Sequence, residues 1–200
     1  MNMSPSSEIV PLNTKFLVTT QPRYELDAAS EIWHCLYVNG YPEDIYVHFV
    51  RKKDKAIAGL IAVVLNGDPI QAIQKIRGYL LRKPWILRYA NKVIPIEFVT
   101  RSLDDLTAFV SSKANLRISE SESWKIEISK RASKISSRKI IEHVANVVGV
   151  GKVSLENPQW LINIEIIRNI FLVSIIKPEW IIRKKEFSMI VKKKKLLEYI

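Results

Sequence analysis

Five cations, Lys130, Arg131, Lys134, Arg138 and Lys139, fall within residues 130–139, interleaved with Ser133, Ser136 and Ser137. Ser136 and Ser137 have no plausible His or Asp partners in the sequence and serve better as caps than as nucleophiles, whereas the cations together attract an anion. The residues before them set the geometry. Trp124, Ile126 and Ile128 alternate with Lys125, Glu127 and Ser129, the period-2 pattern of a strand buried on one face. The residues after them, Ile140, Ile141, Val144, Val147 and Val148, repeat at helical spacing, with Ser136 or Ser137 placed to cap the helix and Gly149 to end it. A strand therefore runs into a helix through a cationic turn. Free backbone N–H groups in a first helical turn, the positive end of the helix dipole and the cations would all favour a phosphate. Taken alone, the same cluster also fits a solvated charged turn.

The chemistry that other residues could perform is narrower. The glycines form neither GxGxxG nor GxxxxGK[ST], so the phosphate-cradling loops of nucleotide and methyl-donor sites are missing. His34, His48 and His143 fall in separate elements without HExxH or cysteine spacing, and Cys35 stands alone, so no disulfide or CxxC pair forms. The expectation is no metal, no cofactor and no catalytic residues. Asp104 and Asp105 sit in a first helical turn, where the dipole accounts for them. Asn157-Pro158-Gln159-Trp160 resembles the Asn-Pro-Pro-aromatic motif of amino-methyltransferases, but Gln159 replaces the second proline, and a turn entering a strand is the simpler reading.

Composition sets the class. The chain of 200 residues is 48% hydrophobic, enough to bury a core. Its net charge of +11 points to a polyanionic partner, nucleic acid or an acidic membrane surface. The excess concentrates in residues 125–139 and in the Lys-rich residues 183–195. No signal peptide or span-length apolar run is present, and a lone cysteine suits a reducing compartment. The expected location is cytoplasmic, with no membrane association.

The elements that must position the turn read as follows. A disordered start, residues 1–13, precedes a strand over 15–20. A helix over 25–39 has Leu26, Ala29, Trp33, Leu36 and Tyr37 on its face. Strands over 45–51 and 56–65 form a hairpin. A second helix starts at Asp68-Pro69, and a strand follows over 94–99. The order βαββαβ is that of a ferredoxin-like unit. Ser102 caps a third helix, and a polar stretch over 111–122 leads to the alternating strand. After the central helix, the apolar runs 160–167 and 170–176, joined by Arg168-Asn169, read as a tight hairpin of strands buried on both faces, with Asn169 tolerating positive φ. The fold class expected is α/β (α+β): a ferredoxin-like domain over 14–92, a small mixed α/β domain over 93–182 and a basic tail over 183–200. That tail, with Lys192, Lys193, Lys194 and Lys195 beside Phe187 and Ile190, is expected to dock beside the anion site or on a partner, and to be dispensable for folding from residue 186 onwards.

Several of these stretches resemble the THUMP domain, the RNA-binding module of tRNA thiouridine synthases, RNA methyltransferases and pseudouridine synthases. They are Ser123-Trp124-Lys125-Ile126 with Lys130-Arg131, then residues 136–141, then residues 153–158 before the strand that starts at Trp160. The first domain is similar to the ferredoxin-like domain that accompanies THUMP, including the Lys83-Pro84-Trp85 to Arg88 junction. The resemblance implies tRNA as partner, held by its acceptor stem and 3′ end, with Lys125, Lys130, Arg131, Lys134, Arg138 and Lys139 as RNA contacts and Arg88 as a further one. With no catalytic domain evident, the chain resembles the stand-alone members, including the adaptor of the tRNA cytidine acetyltransferase. The resemblance therefore implies a non-enzymatic protein that delivers tRNA to a separate modifying enzyme such as an acetyltransferase. The alternative is an RNA-modifying enzyme with an active site of its own.

Overall fold

The structure, a computed structural model, describes residues 9–41, 45–52 and 55–197. In chain order the first elements are β1 (Thr14–Thr20), α1 (Glu25–Tyr37), β2 (Tyr46–Lys52), β3 (Lys55–Val64), α2 (Pro69–Arg82), β4 (Ala90–Pro95) and β5 (Phe98–Thr100). There follow α3 (Leu103–Arg117), β6 (Ser123–Arg131), α4 (Ser137–Val147), β7 (Lys152–Val153), β8 (Trp160–Ile167), β9 (Ile170–Ile176), β10 (Ile182–Arg183) and α5 (Lys184–Leu197). They form a mixed α/β protein of two compact units, Met1–Pro95 with Trp180–Ile200, and Ile96–Glu179.

The first unit is a five-stranded sheet in the order β10-β4-β1-β3-β2. Its β4-β1-β3-β2 portion is the antiparallel arrangement that a βαββαβ chain gives when both helices cover one face. Phe16, Val18, Ile61, Val63 and Val93 meet Ala28, Ile32, Ala72, Ile73 and Ile76 of α1 and α2 in one core. Asp68 caps α2, accepting from the amides of Ile70 at 2.6 Å and Gln71 at 3.0 Å, with Pro69 at the first helical position. Gly59 adopts φ +73°, and a Cβ there would lie 2.5 Å from the Thr20 carbonyl oxygen. The glycine thus lets β3 pass close to the end of β1, and its amide donates to Glu25 Oε1 at 2.6 Å, fastening the start of α1.

Three readings of this unit are corrected. The buried face of α1 is Ala28, Ala29, Ile32, Cys35 and Leu36, whereas Leu26 and Tyr37 are exposed; the core takes the small side chains because helix and sheet approach closely there. Of the start expected to be disordered, residues 1–8 lie outside the described residues. Of residues 9–13, Val10 and Pro11 are buried and Leu12 and Asn13 exposed, and Thr14 Oγ1 donates to the Pro11 carbonyl at 2.6 Å. The basic tail is part of this unit. β10 pairs antiparallel with β4 through Ile182↔Val93 and Arg183↔Lys92. Phe187 of α5 is fully buried in the core, Ile190 packs against it, and Arg77 Nη1 lies 3.0 Å from Glu186 Oε2. Burial inverts the charge-run reading: Lys185, Lys192 and Lys193 are exposed on a helix whose buried side completes the core. Burial also explains Cys35, whose thiol is pushed up to about 12, first by desolvation and then by the Glu31 carboxylate.

The second unit is a sheet in the order β5-β9-β8-β6-β7. β8 and β9 are antiparallel and buried along their whole length, as expected of two apolar runs. Positive φ in their hairpin falls on Arg168, at +58°, and not on Asn169. Helix α3, capped by Ser102, runs on to Arg117, so much of the polar stretch after residue 110 is helical. Arg117 explains the extension. Its guanidinium forks onto Glu97, Nη1 to Oε2 at 2.9 Å and Nη2 to Oε1 at 2.8 Å, and Nη1 also donates to the Ile175 carbonyl at 2.8 Å. The Ile175 amide returns a bond to Glu97 Oε2 at 2.9 Å. A bidentate pair with its remaining valences satisfied in this way fixes the helix end against the sheet.

The position of Phe187 generates a stability prediction. Phe187→Ala removes a fully buried aromatic side chain and is expected to cost about 3 to 5 kcal/mol. Thermal unfolding of the variant checks it, and an unshifted midpoint would mean that α5 is dispensable after all.

Candidate nucleic-acid interface

The geometry of the cationic turn begins with the pairing of β6. This strand runs parallel to β8 in register from Trp124↔Trp160 to Arg131↔Ile167, so Lys130 and Arg131 are its last residues and not part of the turn. Alternation along a strand sends them to opposite faces of the sheet. Lys130 shares a face with Trp124, Ile126 and Ile128; Arg131 shares one with Lys125, Glu127 and Ser129. The chain then reverses at Ala132, where φ is +50°, and the next helix starts at Ser137.

The turn holds itself in place. Lys130 Nζ donates to the Ile135 carbonyl at 3.0 Å, and the Ile135 amide donates to Ser133 Oγ at 3.3 Å. The Arg168 amide reaches across to the Arg131 carbonyl at 3.0 Å. Ser136 is the cap of α4, its Oγ accepting from the Lys139 amide at 3.5 Å. The Ser137 and Arg138 amides, at the start of the helix, have no intrahelical acceptor to point to. Around them Lys134, Arg138 and Lys139 are exposed, and Arg131 is half-buried. Arg138 Nε lies 2.9 Å from Glu142 Oε1 one turn on, with Arg138 90% exposed; a pair so open to water holds the arginine only weakly. Among the described residues no carboxylate lies within ion-pairing distance of Lys130, Arg131, Lys134 or Lys139. Five of the six expected cations on this unit are therefore gathered at one strand-to-helix transition. Lys125 stands apart, further back on β6, with Nζ 3.9 Å from Glu127 Oε2.

Arg88 belongs to the first unit. It follows a short 3-10 turn at Pro84–Ile86 and precedes β4, at the opposite end of that strand from Pro95. Its Nε donates to the Trp85 carbonyl at 3.2 Å. Beside it lies a feature without any periodic signal in the sequence, the stacked and exposed rings of Tyr24 and Tyr89, 5.1 Å between centroids.

The opposite end of β6 is anchored by Trp124, which is 5% exposed, while Ile126 and Ile128 are only half-buried. Trp124 Nε1 donates to the Val150 carbonyl at 2.8 Å. Gly151, at φ +69°, allows this approach: a Cβ there would lie 2.6 Å from the Glu122 carbonyl oxygen and 3.1 Å from Trp124 Cδ1. Glu122, at the start of β6, accepts from the Ser119 amide at 2.9 Å, and that bond chiefly holds its carboxyl below the ordinary range. Gln159 Oε1 accepts from the Ser123 amide at 2.9 Å, so the Asn-Pro-Gln-Trp stretch is a turn stitched to the neighbouring strand. His34 Nε2 lies 3.0 Å from the Tyr79 hydroxyl, and His143 Nδ1 lies 2.7 Å from the Lys139 carbonyl. Among the described residues no cluster of His, Cys, Asp and Glu is arranged to hold a metal ion, and no helix is long and apolar enough to cross a membrane.

Comparison with known proteins identifies part of this chain. Residues 100–176 match the THUMP domain, so the second unit contains a THUMP domain, as its motifs imply. No curated protein matches the sequence. Among solved structures, PH1313 from Pyrococcus horikoshii Ot3 is similar at 17% identity and a TM-score of 0.53, over 82% of this chain and 55% of that one. A predicted N6-adenine-specific DNA methylase from Listeria monocytogenes str. 4b F2365 is similar at 12% identity and a TM-score of 0.48, over 81% and 40%. A 4-thiouridine synthetase in complex with RNA and bound ATP is similar at 8% identity and a TM-score of 0.49, over 82% and 42%. The chain thus spans about half the length of these three structures. The expectation that the protein is not an enzyme is corrected here: the structures it is similar to include proteins described as a methylase and a synthetase. Similarity to the acetyltransferase adaptor in particular finds no counterpart among these matches.

The anchoring of β6 is testable. Trp124→Ala is expected to destabilise by about 3 to 5 kcal/mol, as deletion of a large core side chain does. Trp124→Phe, which keeps most of the ring but orphans the Val150 carbonyl, is expected to cost about 1 to 3 kcal/mol. Chemical denaturation of both variants checks the order, and a Trp124→Phe variant as stable as the wild type would show that the indole N–H bond contributes nothing.

Proposed function

We propose that this chain binds tRNA through the cationic start of α4, taking the acceptor stem and 3′ end, and that it works in tRNA modification as the RNA-holding part of a modifying enzyme. The single observation that carries the reading is the coincidence of the THUMP match over residues 100–176 with the unit in which Lys130, Arg131, Lys134, Arg138 and Lys139 surround a helix start. RNA duplexes are recognised mainly through phosphates, 2′-hydroxyls and shape, and a cluster of exposed cations with free amides between them suits phosphates without reading bases. Arg131 and Lys130, on opposite faces at the end of one strand, would reach phosphates on either side of a groove edge, with Lys125 as an outlying contact. The +11 net charge supports long-range attraction to the same partner. A cytoplasmic setting fits such a substrate. The modification itself extends the proposal: cytidine acetylation with an acetyltransferase partner is one chemistry this RNA grip would serve.

The salt dependence of tRNA binding tests the site. Replacing Arg131, Lys134 and Lys139 together by Ala is expected to weaken binding to all tRNAs and to reduce the slope of log K against log salt by about 0.7 to 0.9 for each phosphate no longer neutralised. These positions are chosen because their side chains hold no part of the turn. Unchanged affinity and slope in the folded triple variant would remove the α4 start from the interface. Nucleoside mass spectrometry of tRNA incubated with the protein and acetyl, methyl or sulfur donors reads out the reaction.

A further inference from the structure

The first unit carries a second surface with the chemistry of a nucleic-acid contact, at the end of the sheet where β1 stops and β4 begins. Tyr24 and Tyr89, 42% and 37% exposed, stack at an interplanar angle of 22°. Trp85, in the same loop as Tyr89, is 49% exposed. Arg88 lies between these rings and lines two adjoining hollows. One, of about 160 Å³, is shared with Gln21, Tyr24, Tyr89 and Lys184. The other, of about 380 Å³, is shared with Glu31, His34 and Trp85. Large exposed aromatics are costly to leave in water, and here they alternate with cations.

The loop that presents them is rigidly held. Glu31 of α1 accepts from three consecutive amides, those of Arg88 at 2.7 Å, Tyr89 at 2.9 Å and Ala90 at 3.0 Å. The carboxylate is thereby committed to the backbone of the loop. On the other side, Thr20 Oγ1 donates to the Tyr89 carbonyl at 2.8 Å. Among the described residues the Arg88 side chain bonds to the protein through Nε alone, at the Trp85 carbonyl, which leaves its terminal nitrogens to face a ligand. Rings and a guanidinium fixed in advance lower the ordering cost of binding.

We infer that this end of the first unit binds an unpaired RNA nucleotide, its base stacking on the Tyr24–Tyr89 or Trp85 face and its phosphate meeting Arg88 and Lys184. Aromatic faces beside cations are the common solution to single-stranded nucleic acid, because every base offers a π-face and every nucleotide a charge. The surface differs from the α4 start in kind as well as position, since that site has cations and amides but no exposed aromatic ring among its named contacts. A protein partner would be served by the rings, but Arg88 and Lys184 beside them favour a ligand with a negative charge at each aromatic step. The inference rests on the RNA-binding reading above and adds to it a preference for unpaired nucleotides.

The experiment uses the full chain and two probes at matched salt, a single-stranded eight-nucleotide RNA carrying 2-aminopurine and a blunt RNA duplex of equal charge. Wild-type protein is expected to quench the 2-aminopurine on binding. Tyr24→Leu with Tyr89→Leu, or Trp85→Leu by itself, is expected to weaken single-strand binding about tenfold, the order expected when one base can no longer stack, with duplex binding unchanged. Arg88→Ala is expected to lower single-strand affinity and to reduce its salt slope by the share of one phosphate. Circular dichroism melts establish that each variant is folded, and Tyr24→Phe with Tyr89→Phe, which keeps the stack, is expected to bind as the wild type does. Duplex binding without single-strand binding, or single-strand binding indifferent to all these variants, overturns the inference while leaving the proposed function standing. Single-strand binding abolished in the Leu variants, together with no affinity for duplex or tRNA, supports the inference and defeats the proposed function.

Discussion

The parallel pairing of β6 with β8 governs the second unit. Parallel neighbours cannot be joined by a tight turn, because the chain must return to the starting end of the sheet before the next strand begins. Here α4 makes the return. It must therefore start where β6 stops, so the positive end of its dipole and its unpaired amides lie beside whatever side chains finish β6. Those side chains are Lys130 and Arg131. Favourable conditions for an anion thus arise from strand direction, and Lys134, Arg138 and Lys139 amplify a field that the topology already supplies.

The residues that hold the second unit together and the cations that would meet an anion are different ones. The rigid parts of the second unit are the fully buried strands β8 and β9, the Glu97–Arg117 fork and the Trp124 bond to the Val150 carbonyl. The exposed cations contribute little to any of these, as solvated charges generally do. Of the cations at the turn, only Lys130 has its charged end engaged by the turn backbone. A phosphate could therefore replace water around the others without disturbing the fold. The first unit shows the same separation, since Glu31 and Thr20 hold the loop by its backbone and leave the Tyr24, Trp85 and Tyr89 rings outside.

Much of this was legible in the sequence where one local signal sufficed. Asp68-Pro69, Ser102 and Ser136 cap helices because side-chain oxygens next to apolar periodicity have few other uses. The apolar runs of β8 and β9 could only be buried strands. What failed depended on partners far along the chain. β6 extends to Arg131 because β8 offers it acceptors and donors that far, and no property of residues 130 and 131 announces this. Positive φ at Arg168 is set by the twist of the hairpin and overrides the preference of Asn169. Phe187 and Ile190 looked like sparse apolar neighbours of a charge run, since a helix that buries one narrow stripe in another element's core needs only a few such residues. β10, two residues long, gives no periodic signal at all. The expectation of a non-enzyme failed for a different reason: catalytic signatures are specific when present, and their absence leaves chemistry undecided.

The return of β10 and α5 to the first unit makes the second unit an insertion within the first. Residues 96–179 are bracketed by the two segments of their neighbour. During synthesis the inserted unit has all its strands before β10 and α5 have been made, whereas the first sheet waits with β4 as an open edge and a gap where Phe187 belongs. An unpaired edge is a site of mispairing, so the nascent first unit is the vulnerable partner for as long as the ribosome takes to reach α5. The order of completion is second unit, then first, the reverse of their order of appearance. Closure of the first unit by residues made after the second couples its stability to the synthesis of α5, so that chains stopped short of that helix would expose their incomplete core to quality control.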